Sequence, residues 1–399
     1  MMHGRNIAND EKRLNGDSRI LVIGGDHANT LASIRALAHD GIQFDLIIHG
    51  ASSEHKTMVG ASKFAPKPVL INYTFEAIRD GIDTWIGDSL PSNCILLPSS
   101  DLAALVIDVC FRPLGVKSSG FVNEDLRVSD LMDKHAQARW ATSLGIPVAR
   151  GIEIDLTGYN EDCPISFPVI IKPAVSAEGE KSDIKICHEY NEYAEAVKYY
   201  QNKQYHHALV QELIDYEYEI TCVGLIRSDG IPVWRAYSKE IVHPKGRGNI
   251  ASGHLETDPM VLEKINTVLL ILAEQGYRGL CDVEFFKTSK GVMLNEVNFR
   301  QSGIVAFPFY EGLFLPSLWA QDMMGHSTTV GIEYPVETYR VVSEAIYLYY
   351  VKGSNENIVK WVNALKVKGG KDLLFSGDIS PFKTFICDTL KNQIKKFIR

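Results

Sequence analysis

The chain has 399 residues, 45% hydrophobic and 23% charged, with a net charge of -8 at pH 7. That length allows two or three domains with their own cores, and the composition is that of a globular protein. The acidic balance argues against general nucleic-acid binding, and no apolar run reaches membrane-spanning length. Seven cysteines, odd in number and without a CxxC pair, fit reduced thiols in a cytoplasm. The polar opening, MMHGRNIANDEKRLNGDSR, does not read as a secretory signal, and residues 1–18 are expected to form a flexible N-terminus.

RILVIGG (19–25) reads as a strand, NTLASIRALAHDG as a helix stopped by Gly41, and FDLIIHG (44–50) as a second strand. Apolar runs without alternation suggest strands buried on both faces of a parallel sheet. PVLIN (68–72) and CILLPSSD (94–101) extend it, with YTFEAIRDGIDTWIGD as a helix between them. The pair Gly24-Gly25 does not complete GxGxxG and is read as a tight turn that lets a helix pack on its strand. Its loop still lies where parallel sheets hold ligands, at the carboxyl ends of the strands. His27 and Asp101 there either face a substrate cleft or cap helices.

Residues 129–145 read as one helix, opened by Ser129 or Asp130 and stopped by Gly145. Strands follow at 167–173, 207–214, 216–226 and 231–242, with a helix at 191–201 and a long one at 258–277. GLCDVEFFKT (279–288) and GVMLNEVNF (291–299) form a hairpin around SKG, and two helical stretches are expected beyond about 330.

The hairpin is either a solvated antiparallel ribbon with ordinary polar alternation or the part that carries chemistry. Alternation places Glu296, Asn298 and Arg300 on one face, with Leu294, Val297 and Phe299 apolar. Asp282, Glu284 and Phe286 share a face of the partner strand, so Glu284 and Glu296 become cross-strand neighbours. Opposed carboxylates call for a cation, and an oxygen-only donor set suits Mg²⁺ or Mn²⁺ rather than zinc. Arg300 can meet a phosphate or developing negative charge. Upstream, Lys172 ends the apolar PVIIKP, where it either snorkels or is held against an anion. LVQELIDYEYEIT then supplies Gln211, Glu212, Glu217 and Glu219.

The order of strand-IKP, loop, VQELI, acidic strand and E-x-F…LNEVNFR resembles the ATP-grasp superfamily, in particular its carboxylate–amine ligase branch. The resemblance covers about 19 to 325 and includes SKFA, LPSSD and DKHAQARWATSLGIPVA. It implies an α/β and α+β architecture: a Rossmann-like pre-ATP-grasp domain (19–128) and an ATP-grasp domain (129–328). The latter has a small lid subdomain (about 150–212) and a C-terminal metal-binding subdomain, followed by a helical tail (329–399). Lys172 resembles the family's phosphate-contacting lysine, and Lys185 a second nucleotide-contacting lysine. Gln211, Glu212, Leu213 and Ile214 fall at the adenine-binding hinge strand, and Glu217 at the ribose-binding acid. Glu284, Glu296 and Asn298 match the metal ligands, and Arg300 the arginine of N-x-R. The common NPR is NFR here. The lid loop is poor in glycine and holds Glu178, Glu180, Lys181 and Asp183, which puts its grip on phosphate in question.

SKEIVHPKGRGNIASGHLET (238–257) looks like the loop placed over triphosphate and acceptor, offering Lys239, His243, Lys245 and Arg247 to an anion. Lys239 and Arg247 join Arg300 as expected catalytic residues. The implied activity is an ATP- and Mg²⁺-dependent (or Mn²⁺-dependent) ligation of a small carboxylate to an amine through an acyl phosphate, in the cytoplasm. An amino acid or an amino-acid-containing or cell-envelope precursor is the expected substrate. A thiol ligase, a carboxylate kinase and a non-catalytic nucleotide-binding protein stay open as alternatives. The end, SPFKTFICDTLKNQIKKFIR, is a basic amphipathic helix expected to pack on its own domain or on a second subunit, leaving a homodimer open. Neither a nucleic-acid partner nor stable membrane insertion is expected.

Overall fold

A computed structural model describes residues 18–51, 57–123, 125–159, 162–174, 183–244, 249–326, 337–354 and 356–398, with side-chain surroundings up to residue 391. Residues 1–17 of the expected flexible N-terminus, the lid-loop residues Glu178, Glu180 and Lys181, and Lys245 and Arg247 lie outside the described residues.

The first unit runs β1 (Arg19–Gly25), α1 (Ala28–His39), β2 (Asp45–His49), β3 (Val69–Ile71), α2 (Phe75–Ile86), β4 (Cys94–Pro98) and α3 (Asp101–Val106). Its strands pair in parallel in the order β3-β2-β1-β4. Both faces of this sheet are covered. Ile20 and Val22 pack with Leu31, Ile34 and Leu37 of α1, whereas Leu21 and Ile23 pack with Ile78 and Ile82 of α2. That two-sided burial is why these strands are continuous apolar runs. Gly24 serves close packing, since a Cβ there would sit 2.2 Å from the Thr30 hydroxyl oxygen and 2.8 Å from the Ser99 Cβ.

Next come β5 (Gly120–Phe121), α4 (Val128–Leu131) and α5 (Lys134–Ser143). The single helix expected over 129–145 is therefore two. The chain turns extended at Asp133, whose carboxylate accepts from the Ala136 N–H at 2.5 Å and caps α5. A small sheet follows from β6 (Gly151–Asp155), β7 (Val169–Pro173), β8 (Lys185–Cys187) and, after α6 (Tyr190–Asn202), β9 (His207–Glu212), in the order β6-β9-β7-β8. Val169 and Ile171 bury against Tyr193, Val197 and Tyr200 of α6, which turns the alternate residue Lys172 to the opposite face.

The largest sheet is built by β10 (Tyr218–Ile226), β11 (Pro232–His243), β12 (Asn249–Leu255), then α7 (Pro259–Glu274), β13 (Tyr277–Thr288) and β14 (Gly291–Asn298). After α8 (Leu315–Met323) it gains β15 (Arg340–Val342), followed by α9 (Glu344–Gly353), α10 (Ile358–Leu365), β16 (Gly369–Lys371) and α11 (Ser380–Ile398). Its order is β14-β13-β10-β11-β12-β15-β16, with β5 paired to β13. Two expectations are corrected. Most of 238–257 is strand, not loop, and the tail beyond 329 contributes β15 and β16 to this sheet besides its helices. One face of the sheet packs on α7 through Cys222, Val283, Phe285, Leu294, Val297 and Phe299. Alternation then sends Thr221, Asp282 and Glu284 to the other face.

Leu294 and Val297 share the α7 face although three positions apart. The registers Glu284↔Glu296 and Phe285↔Leu294 show why: Asn295 is an extra residue, a bulge in the edge strand. Among the described residues no single helix is long and apolar enough to cross a membrane.

Candidate active site

A cavity of about 800 Å³ opens between the large sheet, the small sheet, the starts of α1 and α3, and the C-terminal helices. Its sheet wall is charged. Glu284 lies directly opposite Glu296, and Asp282 opposite Asn298. Thr221 stands opposite Glu284 on the next strand and donates its hydroxyl to Asp282 at 3.0 Å. Burial, and then the charge of Glu284, pushes the Asp282 carboxyl up to about 6. Asn295, displaced by the bulge, donates its amide to Glu284 at 3.4 Å.

Cations sit against these acids. The Lys239 ammonium is 3.1 Å from Glu219 and 3.3 Å from Glu284, with only 2% of its side chain exposed. Burial alone would lower its pKa, but Glu284 and Glu219 reverse that and hold it above the ordinary lysine value. Lys239 is therefore a buried strand residue in an acidic cluster, not a mobile loop cation. Lys134 lies 3.7 Å from Glu296 and comes from the start of α5, the turn that Asp133 caps. Lys172 reaches the same cavity from β7, and its pKa is lowered to about 8 by burial and then by repulsion from Lys134.

Arg300 follows β14 and makes a two-point ion pair with Asp101, at 2.9 and 3.1 Å. Asp101 is not a cap. Ser100 caps α3, accepting from the Ala103 N–H at 3.3 Å. His27 occupies the N-cap position of α1, yet its side chain makes no capping bond and its buried Nδ1 has no hydrogen-bond partner. Burial, then the charges of His49 and Arg300, lowers its pKa to about 4, so the ring is neutral near pH 7. Gln137 of α5 fixes the edge strand, exchanging hydrogen bonds of 2.8 Å with both the N–H and the C=O of Val297.

The cavity thus brings together Lys172, Lys239, Glu284, Glu296, Asn298 and Arg300. Other expected site residues stand outside its lining. Gln211 donates to the Ala149 C=O at 3.2 Å, Glu212 accepts from the Arg150 N–H at 2.8 Å, and the Leu213 N–H meets the Pro168 C=O at 3.1 Å. The first two bonds tie the end of β9 to the segment entering β6, and the third ties Leu213, just past β9, to the residue before β7. Glu217 is exposed, 3.5 Å from Lys287, and the Lys185 ammonium lies 4.2 Å from the Tyr199 ring centroid. The His243 ring meets Tyr350 edge-on at 6.4 Å. Asp183 is turned away from any loop role. It is fully buried and accepts from the hydroxyls of Tyr199 at 2.6 Å and Tyr205 at 2.7 Å and from Lys203 at 2.5 Å.

Sequence reasoning missed Lys134, Asp282 and Gln137. Asp282 carried a signal, being on the Glu284 face. Lys134 and Gln137 sit in the quoted DKHAQAR stretch, but the helix break that aims them is visible only in the backbone. Among the described residues no group of three or more His, Cys, Asp or Glu side chains is arranged as a metal site. The set here is two carboxylates with a carboxamide.

Residues 140–307 match the family described as ATP-grasp domain. Formate-dependent phosphoribosylglycinamide formyltransferase of Francisella tularensis subsp. novicida (strain U112) is 30% identical over 142 residues, 34% of this chain and 35% of that protein. The match spans about a third of the length of that curated relative. Among solved structures, an ADP complex of N5-carboxyaminoimidazole ribonucleotide synthetase has a TM-score of 0.64 at 13% identity, over 88% of this chain and 87% of that one. L-amino acid ligase from Bacillus licheniformis has a TM-score of 0.59 at 13% identity, over 81% and 79%. Residues 140–307 thus match an ATP-grasp domain, and the chain shares its fold with these solved structures.

Proposed function

We propose that the protein is an ATP-dependent ligase that joins a carboxylate, an amino acid or amino-acid-containing precursor, to an amine. The observation that carries this is the directly opposed pair Glu284 and Glu296, with Asn298 and Arg300 beside it and Lys172 in the same cavity. The donor set fits Mg²⁺ or Mn²⁺. It is all hard oxygen, and its two acids already draw the ammonium groups of Lys239 and Lys134, at 3.3 and 3.7 Å. Glu284, Glu296 and Asn298 would hold that ion, which when bound neutralises charge on the phosphate oxygens of ATP.

The rest belongs to this chain's side chains. Transfer of the terminal phosphoryl group of ATP to the substrate carboxylate gives an acyl phosphate and ADP. The amine attacks the acyl carbon, the C–N bond forms, the C–O bond to phosphate breaks, and inorganic phosphate and one proton leave. Lys172 and Arg300 neutralise phosphate charge at the two sides of the cavity. Lys239, locked between Glu219 and Glu284, positions the sheet acids rather than reaching for substrate. Lys134 joins Lys172 at phosphate. Segment 211–214, Glu217 and Lys185 are left for the nucleoside end, as the resemblance to the superfamily implies. The names of two similar proteins, a formate-dependent formyltransferase and an L-amino acid ligase, agree with carboxylate activation. The seven unpaired cysteines suit a reducing, cytoplasmic setting.

The test is to incubate the protein with MgATP and pools of carboxylates and amines, and to measure phosphate release. Release that requires both a carboxylate and Mg²⁺ supports the reading. Bound ATP with no release from any pool contradicts it.

A further inference from the structure

The cavity lining also holds apolar groups that the phosphate chemistry does not use: Met58, the α3 residues Leu102 and Leu105, and Ile346, Tyr349 and Phe385 of the C-terminal helices. Tyr349 and Phe385 meet edge to face, their ring centroids 6.2 Å apart. The Arg300–Asp101 pair lies in the same lining, with Asp101 directly before Leu102 in α3, so the cavity presents a cation and an anion side by side next to this apolar chamber. The unpartnered Nδ1 of His27, a charge neighbour of Arg300 and Asp101 in the same lining, leaves one buried polar atom unsatisfied. Asp372, also in the lining, has both oxygens engaged: they accept from the Ser343 hydroxyl at 2.5 Å and the Glu344 N–H at 3.2 Å, and burial, then Glu344, raises its pKa well above the usual carboxylate value.

We infer that this part of the cavity binds the carboxylate substrate as a zwitterionic α-amino acid with an apolar side chain. The α-carboxylate faces Arg300, the α-ammonium faces Asp101, and the side chain enters the chamber of Leu102, Leu105, Ile346, Tyr349 and Phe385. An ion pair open to a cavity matches the two opposite charges of a zwitterion. A wall of aliphatic and aromatic groups stabilises apolar surface and penalises a charged side chain left without a partner. This inference rests on the ligase reading above.

The experiment uses the full chain with MgATP, single carboxylates and hydroxylamine, which traps an acyl phosphate as a hydroxamate whatever the natural amine. Leucine and phenylalanine are expected to exceed alanine by about 10-fold or more in kcat/KM, since one buried methylene is worth about 10- to 200-fold in such pockets. Aspartate, lysine and carboxylates lacking an α-amino group should fall below alanine. Leu105→Asp should lower kcat/KM for phenylalanine by at least about 10-fold, mainly through KM, while Leu105→Met stays near wild type. The wild-type series decides the matter even where a variant does not fold. Hydroxamate formed equally well from charged or non-amino carboxylates overturns the inference and leaves the ligase reading standing. No hydroxamate and no phosphate from any carboxylate overturns both.

Discussion

On the sheet side of the cavity, the chemistry-bearing groups come from neighbouring strands at two-residue spacing. On the helical side they come from 26–29, 101–105, 343–349 and 372–385, four segments far apart in the chain. The sheet side is held by its own hydrogen-bond register, with Glu284↔Glu296 set by pairing. The helical side is held by long-range polar contacts. Arg35, 1% exposed, pairs with Asp378 at 2.9 Å and donates to the Asp372 and Leu373 carbonyls at 3.0 Å each. Asp378 in turn accepts from the Ser62 hydroxyl at 2.7 Å and the Lys63 N–H at 3.0 Å. Local periodicity therefore builds the reactive wall, whereas a single buried arginine fastens the wall that would choose the substrate.

The difference can be broken most forcefully at that fastening. Asp378→Ala leaves a buried guanidinium without its counter-charge, at a cost of about 3–5 kcal/mol. Thermal unfolding should show a clear fall in melting temperature, and an unchanged melt would refute the role given to Arg35. On the sheet side, Arg300→Ala should cost activity rather than folding. We expect kcat for phosphate release to drop about 10²- to 10³-fold, as for removal of one preorganised charge donor, with MgADP affinity little changed. Retention of kcat would remove Arg300 from the phosphate.

A smaller effect sharpens the electrostatics of the reactive wall. Lys172, lowered to about 8, carries its charge below that pH and loses it above. Nucleotide affinity that depends on this charge is full below pH 8 and weakens as pH rises through it, by at most about 10-fold per unit. Lys134→Met removes a repelling neighbour, so the break should move to higher pH. Titrations of MgADP binding across pH check the sign, and a downward movement contradicts the assignment.

The same contrast governs what could be read in the sequence. The parallel sheet, the hairpin and the opposed acids follow from period-two spacing and apolar runs, and they appear in the structure at the expected positions. Asn295 escaped because a bulge has no composition signal, although the three-residue step from Leu294 to Val297 is its trace. Residues 249–255 and 340–342 escaped as strands because glycines and short length weaken their pattern, while pairing within a large sheet supplies the missing stability. Asp183 neighbours the lid loop in sequence, but three donors from α6 and the turn after it draw it inward. Of the helical wall, His27 and Asp101 were legible as cleft candidates at the strand ends, but the rest was not, since no local rule links Leu102 to Phe385.

The central claim is that the Glu284, Glu296 and Asn298 face is a Mg²⁺-dependent nucleotide wall. Its most direct test is Glu296→Ala, measured beside the wild-type protein for ATP binding with and without Mg²⁺ and for phosphate release. The account predicts Mg²⁺-dependent binding in the wild type, and loss of that dependence together with loss of turnover in the variant, whose circular dichroism and melting stay near wild type. Full activity in Glu296→Ala, or nucleotide binding indifferent to Mg²⁺ in both proteins, would contradict it.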